Sequence, residues 1–314
     1  MALPEIVRTI SASDNFLITC HIRPDGDAIG SLLGMIGLLR ALGKRFTAVS
    51  PDPVPEKYRF IPNCSDVMTV KQAEKHKPFP SIIILDAGEF DRIGEAKRLV
   101  DENVRIINID HHVSNDGFGD SVWIDLDASA TAEMLLTLFR EFQLKPDPAV
   151  ALALYIGIMT DTGRFRFSNT TSHCFASVAA LVECGADPVA AVKQVYYNTD
   201  KENIITLGRV LSRIEVSDHD RIVTTYMTKE EINADTEGFV DYLTSIKGVE
   251  IALLFQETKP SLYKVSLRSL GKVDVAKIAV AFNGGGHNNA AGCRINGTFV
   301  EARNVIVEAC RAAL

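Results

Sequence analysis

The chain has 314 residues, 46% of them hydrophobic, and its 33 lysines and arginines against 40 aspartates and glutamates give a formal charge of −7. This composition excludes disordered and fibrous chains, and the length suggests about two domains, since single cores stop growing near ~250 residues. The acidic balance argues against a protein that binds duplex nucleic acid by covering its phosphates with Lys and Arg, but leaves room for a small phosphorylated substrate held by a metal.

At the N-terminus, MALPEIVRTISASDNF carries acidic and polar residues where a signal peptide needs an apolar run. The first 160 or so residues then alternate short β-rich runs with helical patterns, the signature of a parallel sheet wrapped by helices. The expected strands are Phe16 to Cys20, Phe46 to Ser50, Ile82 to Leu85 and Arg105 to Ile109, with a helix from Ala28 to Leu42 and a Pro-rich polar segment from Pro51 to Pro80. Helices are expected at Ala128 to Phe142, Pro148 to Met159, Ser172 to Cys184 and Pro188 to Tyr196. The longest apolar stretch, Ala149 to Met159, is far short of the ~20 residues needed to span a bilayer.

A boundary is expected near residue 195, dividing a first domain (1–195) from a second (196–314), joined by a linker helix at about 198–214 whose apolar part is Ile204 to Ile214. The second domain reads as a small α/β unit. Its strands are Arg221 to Met227, Val249 to Gln256 and Leu262 to Leu267, and its helices Val273 to Phe282 and Glu301 to Ala312. The six cysteines (Cys20, Cys64, Cys174, Cys184, Cys293, Cys310) form no C-x-x-C pair, so a reducing cytoplasm is the expected setting.

Functional groups of parallel α/β proteins collect beyond the carboxyl ends of the strands. Here the first strand is followed by His21-Ile-Arg-Pro-Asp25-Gly-Asp27-Ala-Ile-Gly30-Ser31, the third by Asp86-Ala-Gly88 and the fourth by Asp110-His111-His112, while a later helix ends at Thr160-Asp161-Thr-Gly163-Arg164. One such Asp is ordinarily a turn former or helix cap, and Asp25 or Asp27 alone could cap the helix near Ala28. Four segments doing this in one sheet point instead to a His and carboxylate site for Mn²⁺ or Mg²⁺. Asp86 has two oxygens and can bridge two ions. Ions at ~3.5 to 4 Å would clamp a phosphoryl group and activate a water, which is phosphoester or phosphoanhydride hydrolysis. Late in the chain, Asn283-Gly284-Gly285-Gly286-His287 offers backbone amides for anionic oxygens, with Arg268 on a neighbouring strand.

The segments HIRPDGDAIGS, LDAGEFDRIG, NIDHHVSN and IMTDTGRFRF resemble, in order and spacing, the four motifs of the DHH phosphoesterase superfamily, and GGGHNNAAG resembles the signature of its DHH-associated C-terminal domain. Within that superfamily the compact two-domain layout is similar to the bacterial bifunctional oligoribonucleases (nanoRNases) that also act as pAp phosphatases. The resemblance implies a doubly wound, mainly parallel α/β sheet domain, a smaller α/β C-terminal domain, an active cleft between them, and two Mn²⁺ ions, with Mg²⁺ as the other choice. It implies that His21, Asp25 and Asp86 hold one metal and Asp27, Asp86, His111 and Asp161 the second. Asp110 would orient His111 or the metal water, and His112 would touch the scissile phosphate and protonate the leaving oxygen. Arg268, Gly285, Gly286 and His287 would grip the substrate, with Ser31 and Arg164 as weaker candidates. Val113 stands where many relatives have Pro, and Asn288 and Asn289 depart from the usual C-terminal signature.

The implied activity is hydrolysis of short RNA to 5′-mononucleotides and dephosphorylation of pAp, a 3′(2′),5′-bisphosphate nucleotidase reaction. Cleavage of cyclic di-AMP or of linear pApA is the competing substrate assignment. A non-catalytic nucleotide-binding module is the contrasting class. Short RNA, pAp or dinucleotides, and no duplex DNA or membrane, are the expected partners, together with a homodimer for which Ala128 to Phe142 and Pro148 to Met159 are the candidate interface helices, burial within the monomer being the commoner fate of such helices.

Overall fold

A computed structural model describes residues 2–231 and 238–314, apart from the side chains of Ala2 and His287. The chain divides into two units, Met1–Asn198 and Thr199–Leu314.

The first unit runs α1 (Ala2–Ala12), β1 (Phe16–Thr19), α2 (Gly26–Ala41), β2 (Phe46–Val49), β3 (Val67–Met68), α3 (Val70–Ala73), β4 (Ser81–Leu85), β5 (Arg105–Asp110), β6 (Ser121–Ile124), α4 (Thr131–Glu141), α5 (Pro148–Asp161), α6 (Ser172–Glu183) and α7 (Pro188–Tyr196). Among the described residues its sheet has six strands in the order β3-β2-β1-β4-β5-β6, and every neighbouring pair is parallel. This is the doubly wound order, and the chain reverses direction across the sheet between β1 and β4. Strand alternation divides the core. Phe16 and Ile18 face a cluster with Ile29, Leu135 and Leu154, whereas Leu17, Ile82 and Ile84 face Ala73, Ile93 and Leu99.

Helix α2 is apolar all round because it is buried almost all round. Its glycines form a stripe that lies directly on α5. An added methyl would fall 2.3 Å from Thr160 Oγ1 at Gly26, 2.5 Å from the Ala153 carbonyl at Gly30, 2.5 Å from Leu154 at Gly34 and 2.2 Å from Val150 at Gly37. The two helices therefore approach at backbone distance, and the end of α5 that carries Asp161 is brought to the loop that carries Asp25 and Asp27. Helix α4 starts at Thr131 rather than Ala128, because Ala128, Ser129 and Ala130 form an irregular loop. Helices α4 and α5 are largely buried within this unit, the commoner fate of such apolar helices and not the interface they were the candidates for. No single helix among the described residues is long and apolar enough to cross a membrane.

The second unit runs α8 (Lys201–Leu211), β7 (Glu215–Ser217), β8 (Ile222–Met227), α9 (Phe239–Leu243), β9 (Ile251–Lys259), β10 (Leu262–Ser269), α10 (Val275–Val280), β11 (Gly285–His287), β12 (Ala290–Asn296) and α11 (Phe299–Ala313). Its strands lie in the order β11-β12-β10-β9-β8-β7. Only β8 and β9 pair in parallel among those described. One core cluster joins Ile222, Leu253, Phe255 and Val265 to Ile278 and Ile306, and another joins Val223, Ala252 and Leu254 to Val210 and Val240. The helix expected at Val273 to Phe282 is shorter, since the Asp274 side chain accepts from the amides of Ala276 and Lys277 and starts α10 there.

Candidate metal centre

The loops after β1, β4 and β5 converge at the sheet's reversal point, where a doubly wound fold places its ligands. His21 follows β1 and is almost fully buried. Its Nδ1 lies 2.8 Å from the Ile22 carbonyl, which can only accept, so Nδ1 carries the proton and Nε2 presents its lone pair. Nε2 stands 3.7 Å from Asp25 and 3.5 Å from Asp86. Asp25 also caps α2, accepting from the amides of Asp27 and Ala28, so the capping and ligand readings of this residue are compatible.

Asp86, just past β4, is buried and has a left-handed φ of +57°. Such a conformation in a residue other than glycine is maintained only where the surroundings determine it. Its amide donates to Ile109 and its Oδ1 accepts from Thr131 Oγ at 3.1 Å. One oxygen faces His21, and the other faces His111 at 3.7 Å and His112 at 3.6 Å. Two groups of ligand atoms consequently share Asp86: His21, Asp25 and Asp86 form one, and Asp86, His111 and His112 the other.

His111 is oriented as His21 is, with Nδ1 3.3 Å from the Ala128 carbonyl. Its Nε2 faces Asp27 at 3.8 Å, Asp86 at 3.7 Å and Asp161 at 3.7 Å. These separations exceed a hydrogen bond. Asp27 is held by the first turn of α4, its Oδ2 accepting from the Thr131 amide at 2.7 Å and its Oδ1 from the Ala132 amide at 2.9 Å. Asp161 closes the ring, with Asn169 Nδ2 donating to its Oδ2 at 3.3 Å.

Burial and the neighbouring carboxylates Asp86 and Asp161 push Asp27 well above the usual carboxylate range, and Asp161 is pushed to about 6, chiefly by burial. Burial pulls His21 down, yet Asp25 and Asp86 raise it well above an ordinary histidine. Crowded acids and imidazoles of this kind demand positive charge. Two imidazoles with Nδ1 tied to carbonyls and Nε2 aimed at carboxylates are what a divalent cation requires of its donors and of the groups that orient them. The residues present fit such a cation.

Asp110 differs from its expected role. Its Oδ1 accepts from the His111 backbone amide at 2.8 Å and from His112 Nδ1 at 2.6 Å, and its Oδ2 from Asn115 Nδ2 at 2.6 Å. Asp110 thus orients the ring of His112, while the His111 ring is oriented by Ala128. Burial would raise Asp110, but the hydrogen bonds from His112 and Asn115 hold it down to about 2. Burial would lower His112, and Asp110 and Asp86 raise it.

The remaining expectations fare differently. Ser31 is fully buried and donates to Asp27 Oδ1 at 3.1 Å, so it supports that acid and is out of a substrate's reach. Arg164 lies over the Tyr196 ring, 4.7 Å from its centroid. In the second unit, Arg268 Nε donates to Asp241 at 3.0 Å. Gly285 and Gly286 belong to the edge strand β11 rather than to a free loop. Gly286 needs its φ of +143°, and a methyl there would meet the Ala290 carbonyl at 2.4 Å. The side chain of His287 lies outside those described. Sequence reasoning missed Asn115, Ser129, Thr131, Glu133 and Asn169. Of these, Asn115 sat inside the quoted NIDHHVSN segment and carried a usable signal.

The DHH family N-terminal domain matches residues 15–158 and the DHHA1 domain residues 219–314. The chain is 32% identical to the bifunctional oligoribonuclease and PAP phosphatase NrnA of Thermus thermophilus, over 95% of this chain and 89% of that one. It is 27% identical to the cyclic-di-AMP phosphodiesterase PdeA of Listeria monocytogenes, over 96% of this chain and 48% of that one. A crystal structure of an exopolyphosphatase-related protein from Bacteroides fragilis superposes with a TM-score of 0.90 at 28% identity, covering 99% of this chain and 96% of the other.

Proposed function

From its membership of the DHH family, to which this chain belongs by its N-terminal DHH domain and C-terminal DHHA1 domain, we propose that it is a metal-dependent phosphoesterase that hydrolyses short oligoribonucleotides to 5′-mononucleotides and dephosphorylates pAp. The observation that carries the chemistry is Asp86, whose two oxygens face two separate histidine groups. The substrate assignment is supported by the Thermus relative, which covers nearly the whole chain and is named for both activities.

His21, Asp25 and Asp86 would hold one divalent ion and Asp27, Asp86, His111 and Asp161 a second, with Mn²⁺ proposed and Mg²⁺ as the other candidate. Such ions supply Lewis-acid stabilisation of phosphoryl oxygens and lower the pKa of water. His112 donates a hydrogen bond from Nδ1–H to Asp110, and its Nε2 is the atom proposed to serve the leaving oxygen. Asp110 and Asp86 raise the His112 pKa, the direction that favours the protonated state a general acid needs. Asp110, ionised and buried, fixes the ring and stabilises that charge. Arg268, Gly285, Gly286 and His287 are proposed to bind the nucleotide's remaining phosphate or sugar, with Arg164 as a weaker candidate. The net charge of −7 disfavours duplex DNA as a partner. The free cysteines support a cytoplasmic setting. A homodimer, if formed, would use a surface other than α4 and α5.

The test is a side-by-side turnover assay of pAp, pApA, cyclic di-AMP and 5-mer RNA with Mn²⁺ and with Mg²⁺. Mononucleotide from the 5-mer and phosphate from pAp are expected. Faster turnover of cyclic di-AMP than of pAp or RNA would move the assignment to the PdeA-like activity, and no product with either ion would overturn the enzyme reading.

A further inference from the structure

We propose that Glu133 is a positioning residue for the metal centre, acting on it through the 128–131 loop, with His173 as its outer anchor. The proposal rests on the metal reading of the site and extends it to residues that touch no proposed ligand directly.

Glu133 stands in the first turn of α4, yet its side chain is only 1% exposed. Oε2 accepts from both the amide and the hydroxyl of Ser129, each at 2.7 Å. Oε1 lies 2.7 Å from Nδ1 of His173 on α6, whose side chain is 62% exposed. In an ordinary capping box, a Glu at this position reaches back to the amide of the N-cap residue. The N-cap here is Ala130, and Glu133 passes it to hold Ser129 one residue earlier. The carboxylate is fastening the loop rather than finishing the helix.

That loop touches three of the six proposed ligands directly and a fourth through Asn169. The Ala128 carbonyl orients His111, and the Ser129 carbonyl accepts from Asn169, which also donates to Asp161. The Thr131 amide and hydroxyl go to Asp27 and Asp86 respectively. One buried carboxylate therefore sets the backbone from which His111, Asp161, Asp27 and Asp86 take their orientation. Hydrogen bonds to an ionised acceptor are roughly twice as strong as neutral ones, and groups that orient metal ligands typically contribute ~10–100-fold to metal affinity.

The experiment is calorimetric titration of Mn²⁺ into chelator-stripped full-length protein, for wild type, Glu133→Ala, Glu133→Gln and Ser129→Ala, with Asp86→Ala as reference. Glu133→Ala is expected to raise the Mn²⁺ Kd by about 10–100-fold, with Glu133→Gln and Ser129→Ala weakened less. Activity should return to near the wild-type kcat at saturating Mn²⁺, which a collapsed site would not allow. If Glu133→Ala fails to fold, the other two variants decide by the same criterion. Unchanged Mn²⁺ affinity in every folded Glu133 and Ser129 variant, with only thermal stability reduced, would overturn the proposal. Wild type that binds no Mn²⁺ would instead overturn the metal reading on which it stands.

Discussion

The fully buried Asp110 carboxylate accepts a hydrogen bond from His112 Nδ1 at 2.6 Å, and it holds that ring while leaving the His111 ring to a backbone carbonyl. The two histidine rings of this tripeptide are thereby held by separate supports, so the acid–base role proposed for His112 and the metal role proposed for His111 can be tested apart.

Asp110→Asn should accordingly separate the two. General acid–base catalysis contributes about 10²–10⁴-fold, so kcat is expected to fall within that range while Mn²⁺ affinity, measured by titration, stays near wild type. A variant that loses metal along with activity would show that Asp110 serves the ligands after all.

Removing the ions should destabilise the first unit, because Asp27 and Asp161 are then left among like charges. Ligand linkage predicts a gain of about 2.7 kcal/mol at a metal concentration a hundredfold above Kd. Thermal denaturation of chelator-treated protein should show a rise in Tm on adding Mn²⁺, and Asp86→Ala should abolish that rise.

Gly30 bears on both stability and site. A methyl group there would sit 2.5 Å from the Ala153 carbonyl, which is backbone and cannot swing aside. Overpacking of this kind costs about 1–3 kcal/mol, more than the helix propensity gained over glycine in most of that range. Gly30→Ala is expected to lower the urea midpoint without changing the m-value, and to reduce activity by moving Asp161 away from Asp27.

Arg268 is pre-positioned by Asp241 at 3.0 Å. Losing a hydrogen bond from a charged donor costs ~1.5–3 kcal/mol, so Arg268→Ala should raise KM for pAp about 10- to 100-fold with a smaller effect on kcat. Asp241→Ala should shift KM in the same direction by less. An unchanged KM in both would remove Arg268 from the substrate's contacts.

Much of this was legible in the sequence for a simple physical reason. His21, Asp86 and His111 each follow a run of apolar β-formers, and a polar residue at the end of a buried parallel strand has few places to go. The same pattern cannot say which atom holds which: Asp110, expected to orient His111 or the metal water, is bonded to the His111 amide and the His112 ring. Ser31 was read as a ligand contact because its neighbours are, although its place on the buried side of α2 turns it toward Asp27. The bonds from Asn169 to Ser129 and from His173 to Glu133 each span 40 residues, and no local periodicity encodes them. Helix α1 was overlooked although Ile6 and Ile10 have helical spacing and are fully buried. Strands β3 and β7 have two and three residues, too short for alternation to show. The stripe Gly26, Gly30, Gly34 and Gly37 had a readable spacing, and it marks close helix approach more than a phosphate loop.

The amides of Thr131 and Ala132 on Asp27, and the Thr131 hydroxyl on Asp86, fix the acids through bonds made entirely within the chain. None of these bonds uses an ion as a partner, so the donors of the proposed site would stand converged ahead of ion binding. Exchange of Mn²⁺ for Mg²⁺ would then proceed without backbone rearrangement, at a rate governed by how fast each ion sheds its own water. Mg²⁺ dehydrates reluctantly, so the slower-loading enzyme would be the magnesium form.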